Sequence, residues 1–185
     1  RNLIQRKDYT RAKVYLLHAL SISEKGKDTL TLYRSLLFLE KLYTETGQND
    51  SAIVVCYKRL SINRQKKDFA NLSDNFRALN TLLYTNIGSK GAEGLMDSCL
   101  HYALLSKKDE TITVAYINYG LFEFERNKQK GIKYLKTAIA QSDKIPSETI
   151  YLYARVQMAK ILMRLDSLKE AKQYLVEALN KAIET

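Results

Sequence analysis

A quartet of large apolar residues returns along this chain at a nearly fixed distance, and that recurrence constrains the fold more than any other feature. Leu32, Leu36, Leu39 and Tyr43 are spaced 4, 3 and 4 apart, which places them on one face of a helix. Forty residues on stand Leu72, Phe76, Leu79 and Leu83. Another forty on stand Ile112, Tyr116 and Tyr119, with Glu123 breaking the pattern. After a further 39 come Tyr151, Met158 and Leu162, with Arg155 breaking it. A second series runs between the first: Ala12, Leu16, Ala19; Ala52, Cys56, Arg59; Ala92, Met96, Cys99; Gly131, Leu135, Ala138; and Ala171, Leu175, Ala178. Small residues at such positions let two helix backbones approach closely, while the bulky member fills the groove beside them. Each unit therefore reads as a large-residue helix followed by a small-residue helix. Neither buries its face alone, so neighbouring units must stack.

The connections agree with this reading. Gly47-Gln48-Asn49-Asp50 offers a glycine to end one helix and an acid to start the next, Asn127 and Asp166-Ser167 occupy equivalent places, and Pro146-Ser147 marks the entry to the last unit. Seven Gly and one Pro leave little material for hairpins, so the expected fold is all-α. The units fall at about 1–27, 28–67, 68–108, 109–145 and 146–185, forming one domain over 1–185. The counterpart of the first large-residue helix would begin before Arg1, so the chain is expected to be cut from something longer. In the third unit two readings stay open. Either a helix surrounds Ala92, or 89–96 form a loop with a helix starting near Asp97-Ser98 and Cys99 as its small residue.

The pattern resembles the tetratricopeptide repeat (TPR) family across nearly the whole chain. Leu165 to Leu179, with Ala171, Leu175 and Ala178, is similar to the family's second helix, and Leu39 to Gly47 to the end of its first. Tyr119-Gly120 matches the family's Leu-Gly pair. The period near 40, the absence of Trp and Arg59 at a small-residue position depart from the usual pattern. Longer periods occur in bacterial members joined to sensor kinases or transcription regulators. The resemblance implies a right-handed solenoid of antiparallel helix pairs, about four and a half repeats, acting as a protein- or peptide-binding scaffold. It also implies the sensing or docking module of a bacterial signalling protein, in the cytoplasm or periplasm, with a lean to the cell envelope.

Chemistry is sparse. Cys99 and His101 are two apart and do not share a helix face, His18 stands alone, and no His-Glu-x-x-His or Cys-x-x-Cys occurs. Gly88-Ser-Lys-Gly91-Ala-Glu-Gly94 lacks the spacing of a phosphate loop. Cys56 and Cys99 lie in apolar helical stretches and read as small hydrophobes. No catalytic residue, metal or cofactor is expected, and the chain reads as a non-enzyme.

Two binding surfaces are expected instead. Lys27, Lys67 and Lys107 recur at one phase, with Lys144 in the next equivalent turn, giving a basic rim on a chain of net charge +10. That rim is either a solvated edge that keeps the repeat soluble or a contact for an acidic surface, so an adaptor for an anionic membrane surface or nucleic acid is the alternative role. Nucleic acid is disfavoured because no aromatic residues interleave the lysines. Carrying the family's groove positions onto this chain selects Arg34 and Lys41, then Arg77, Thr81 and Tyr84, then Leu121 and Phe124, then Tyr153 and Lys160. A protein or peptide with an acidic end and hydrophobic anchors would fit such a groove.

Overall fold

A computed structural model describes residues 8–87, 92 and 94–183. The described residues form nine α-helices and no strand: α1 (Tyr9–Lys25), α2 (Thr29–Glu45), α3 (Asn49–Lys66), α4 (Phe69–Ile87), α5 (Leu95–Ser106), α6 (Asp109–Arg126), α7 (Lys128–Ser142), α8 (Glu148–Arg164) and α9 (Leu168–Ile183). They fall into two compact units, Arg1–Leu95 and Met96–Thr185. In the first, α1 packs on α2, α2 on α3 and α3 on α4. In the second, α6 packs on α7, α7 on α8 and α8 on α9, and α6 also touches α8. That contact between alternate helices is what stacked helix pairs produce.

The helices stop by one recurring device. Lys27, Lys67 and Lys107 all adopt the left-handed conformation, with φ of 54°, 52° and 54°. At the first two, the following amide reaches back five residues, from Asp28 N to Ser23 O (3.0 Å) and from Asp68 N to Asn63 O (3.0 Å). This is the Schellman arrangement, which satisfies the last carbonyls of a helix. The next residue then caps the helix that follows: Asp28 accepts from Leu30 N and Thr31 N, and Asp68 from Asn71 N. Lys108 stands at the third such place without a side-chain cap, and Asp109 and Glu110 put negative charge in the first turn of α6 instead. Gly47 (φ 71°) and Asp166 (φ 60°) end α2 and α8 in the same way. The basic-rim lysines at 27, 67 and 107 thus occupy the backbone position where glycine is the usual residue.

The small residues read from the sequence at 12, 52, 92, 131 and 171 are all buried. Gly131 shows why size matters there: a Cβ on it would lie 2.5 Å from Phe124 Cα and N. A Cβ on Gly120 would lie 2.9 Å from Leu135 Cγ. These two glycines let α6 and α7 approach more closely than any side chain would allow. Beside them Tyr134 stacks on Tyr116 at 6.0 Å and meets Tyr119 edge-on at 4.8 Å. The core of the second unit includes Ile117, Phe124, Leu135, Ile139, Ile150, Met158 and Leu162. That of the first includes Leu36, Leu39, Leu42, Leu60, Leu72, Phe76 and Leu79.

In the third sequence unit the helix begins at Leu95, two residues before Asp97, and residues 88–91 and 93, on which the choice between the two readings turns, lie outside the described residues. Met96 and Cys99 are both buried on it. The Gly88–Gly94 run lies mostly outside the described residues; within it Ala92 is buried and Gly94 has φ of 75°.

Candidate functional site

Three residues that interrupt the apolar register, Arg59, Glu123 and Arg155, are buried at 1%, 4% and 5% exposure. A buried charge persists only where partners replace its hydration. Arg59 on α3 pairs with Glu40 on α2, donates to Tyr33 Oη at 3.0 Å and reaches Asp74 Oδ2 on α4 at 3.4 Å. Its Nε is left without a partner. Asn63 and Asn75 bond each other beside it, and Cys56 Sγ lies 3.6 Å from Asn75 O. Arg155 on α8 pairs with Asp143 (2.6 Å) after α7 and Glu177 (2.9 Å) on α9, with its guanidinium 3.5 Å from the Tyr151 ring centre. Glu123 accepts from Lys130 at 2.8 Å.

Electrostatics follow from this packing. Burial opposes the charge on Arg59, but Glu40 and Tyr33 hold the guanidinium more firmly protonated than usual. Burial also works to raise the Asp74 carboxyl, yet Arg77 and then Arg59 bring it below its ordinary value. Burial, with Glu40 nearby, pushes the Cys56 thiol up to about 12, which leaves it inert.

A partly exposed face runs across α6 and α8 in the second unit. Val114, Asn118, Leu121 and Glu125 line α6 at spacings of 4, 3 and 4, and Tyr153, Gln157, Lys160 and Arg164 line α8 at the same spacings, 39 residues on. Two cross-links join the rows. Tyr153 Oη donates to Asn118 Oδ1 at 3.4 Å, and Arg164 grips Glu125 with both terminal nitrogens at 2.5 and 3.1 Å. The Asn118 amide also donates to Val114 O at 2.7 Å, which fixes its orientation. Leu121, Val114 and Tyr153 are half-buried against the core, while Lys160 is exposed.

This placement corrects one expected groove residue. Phe124 is 3% exposed, lies in the core against Gly131 and is covered by the Arg164 guanidinium at 5.0 Å from its ring. A partner has no access to it. Leu121, Tyr153 and Lys160 do lie on the open face. The residues that sequence reasoning missed there are Asn118, Glu125, Gln157 and Arg164, Glu125 standing one position beyond Phe124. The complementary pair Glu125 and Arg164, 39 apart, was the available signal.

In the first unit Arg34 and Lys41 are exposed on α2, Lys41 facing Glu45 at 3.6 Å. Arg77 is half-exposed and clasps Asp74, with Nε at 3.1 Å. Thr81 is exposed with its hydroxyl on Arg77 O, and Tyr84 is 48% exposed. Among the rim lysines, Lys144 is exposed in the turn before Pro146 but lacks the left-handed geometry of the other three. Among the described residues, no group of three or more His, Cys, Asp and Glu is placed to hold a metal ion, and no helix is long and apolar enough to cross a membrane.

No family model matches the sequence, and no curated protein does either. Solved structures do. BtubC (BKLC) from P. vanneervenii superposes with a TM-score of 0.76 at 13% identity, over 98% of this chain and 76% of that one. A Rap protein complexed with Competence and Sporulation Factor gives 0.80 at 17% identity, over 99% of this chain but only 52% of its own length. A kinesin light chain with nearly identical TPR-like repeats from Podosopora anserina gives 0.70 at 15% identity, over 100% and 92%. By fold, this chain is a TPR-like helical repeat built from antiparallel helix pairs.

Proposed function

We propose that the chain is a protein- or peptide-binding scaffold whose contact surface includes the face of α6 and α8. The observation that carries this reading is the pair of phase-matched rows. They set apolar Val114 and Leu121 beside a cation, Lys160, and are cross-linked through Asn118–Tyr153 and Glu125–Arg164. A preorganised face of this kind loses little side-chain entropy when a partner docks. It suits a segment with an apolar anchor for Leu121 and a carboxylate for Lys160. In the first unit Arg34, Lys41, Arg77, Thr81 and Tyr84 extend the proposed contact set. The Rap structure, solved with its factor bound, supports binding as the role of this fold. Placement in a bacterial signalling or regulatory protein, over a single repeat domain spanning 1–185, belongs to the same proposal.

The test is capture from native lysate by wild type and by the double variant Gln157→Glu with Lys160→Glu. Lys160 is exposed and Gln157 half-buried, so the loss of stability should stay within about 1 kcal/mol. A protein held by wild type and lost by the variant supports the reading. Retention of the same proteins by both refutes this face as the site. Phe124→Glu serves as a contrast and should unfold its unit.

A second reading rests on the three exposed lysines in left-handed turns: an adaptor for anionic membrane surfaces. Its signature is vesicle binding that weakens steeply with salt and disappears when Lys27, Lys67 and Lys107 are replaced together.

A further inference from the structure

The outer side of α9 carries an apolar stripe that the rest of the chain does not need. Leu168, Leu175, Leu179 and Ile183 follow one another at helical spacing, and Val176 lies beside them. Their exposures are 60%, 41%, 59%, 73% and 43%. The repeat itself shows what such positions do elsewhere. Forty residues earlier, Leu135 and Ile139 of α7 correspond to Leu175 and Leu179, and they are 0% and 9% exposed in the core that α8 completes. In the first unit Cys56 and Leu60 of α3 hold the same positions, at 0% and 4%, with α4 packed on that helix. A helix is therefore the shape that fits against Leu175 and Leu179.

The stripe is also wider than a further repeat would require. Where α9 has Leu168, Val176 and Ile183, α7 has Lys128, Lys136 and Asp143, all exposed. On α7 Asp143 is reached by Arg155 of α8, while Lys128 and Lys136 stay exposed beyond the packed face. On α9 the counterparts of those two lysines are Leu168 and Val176, so the occupant covers more of the helix there than α8 covers of α7. Within the same arc stand Lys172, where α7 has the half-buried Ile132, and Lys169 at its edge. Among the described residues the arc holds no acid, since Glu170 and Glu177 fall on the other side and Glu177 is engaged by Arg155. A cation set among leucines favours a partner that brings a carboxylate to it.

We propose that this face of α9 is a second docking surface, separate from the face of α6 and α8, and that it takes an amphipathic helix of a partner protein with acidic residues flanking its apolar stripe. The probes are two designed amphipathic helical peptides with one apolar stripe in common, one flanked by Glu and the other by Lys. Binding to the full chain is followed by fluorescence anisotropy. The Glu-flanked peptide should bind the more tightly, Leu179→Ser should weaken it by about tenfold or more, and Lys172→Glu should transfer the preference to the Lys-flanked peptide. Leu179 is mostly exposed, so its replacement leaves the fold intact, which far-ultraviolet circular dichroism checks. Equal binding of both peptides, or none at millimolar concentration, overturns the proposal, as does a preference that survives Lys172→Glu. Loss of binding in the Gln157→Glu, Lys160→Glu variant would place the probe on the other face and also overturn it. Concentration-dependent dimerisation abolished by Leu179→Ser would make a second copy the occupant, against the acidic helix.

Discussion

Replacing Arg59 by Met tests whether the buried network of the first unit is held by charge pairing or merely tolerated. Methionine keeps much of the volume and flexibility of arginine, so cavity formation contributes little. What remains is Glu40, whose side chain is 12% exposed, with its main partner gone. Stranding one member of a buried pair costs about 3–5 kcal/mol. The residual access of Glu40 to water argues for the lower end, so a loss near 3 kcal/mol is expected. In a chain of this size that corresponds to a fall of roughly 6–12 °C in the thermal midpoint. The double variant Arg59→Met with Glu40→Gln removes the stranded charge and should recover most of the loss. Thermal unfolding followed by circular dichroism at 222 nm measures wild type, both single variants and the double variant, and the cycle isolates the coupling. A single-variant loss below about 1 kcal/mol would refute the reasoning, as would a double variant whose loss is the sum of the two singles.

Three further outcomes are expected. Gly131→Ala forces α6 and α7 apart against backbone atoms of Phe124, and should cost about 2 kcal/mol or more in urea unfolding; a neutral result would mean the helices are not in this close contact. The Asp74 carboxyl is held below its ordinary value when folded, so its stabilisation is present above about pH 4 and lost as pH falls through the folded value. Acid titration should therefore show Asp74→Asn flattening the stability profile below pH 4, with little change in slope at pH 6–8. Lys67→Gly relieves a left-handed residue at the cost of chain entropy, so its melting point should stay within a few degrees of wild type; a large loss would mean the side chain itself holds the turn.

The helix pairs were legible because burial of one face imposes a spacing that survives any choice among Leu, Ile, Met, Phe and Tyr. Phe76 differs from Leu36 in size and shape, and Leu83 from Tyr43, yet the pattern of positions is common to both quartets. Arg59, Glu123 and Arg155 resisted this logic. They read as failures of an apolar pattern, because the acids and the lysine that satisfy them come from other helices or later turns. The open face was misjudged by a single residue for a related reason. Inner and outer sides of a helix are separated by one step of about 100°, and apolar periodicity alone does not say where a half-buried row ends. Phe124 lies just inside that boundary and Glu125 just outside it.

The two buried arginines each look in both directions along the chain, Arg59 to Glu40 before it and Asp74 after, Arg155 to Asp143 before it and Glu177 after. Helix pairs in such a protein are consequently not interchangeable parts. A chimera that moved α8 and α9 behind α3, a small-residue helix like α7, would bring Arg155 to a neighbour with Arg64 at the position of Asp143, and grafting would fail even where the apolar spacing was conserved. The ion pairs act as an address that only the native order of repeats satisfies.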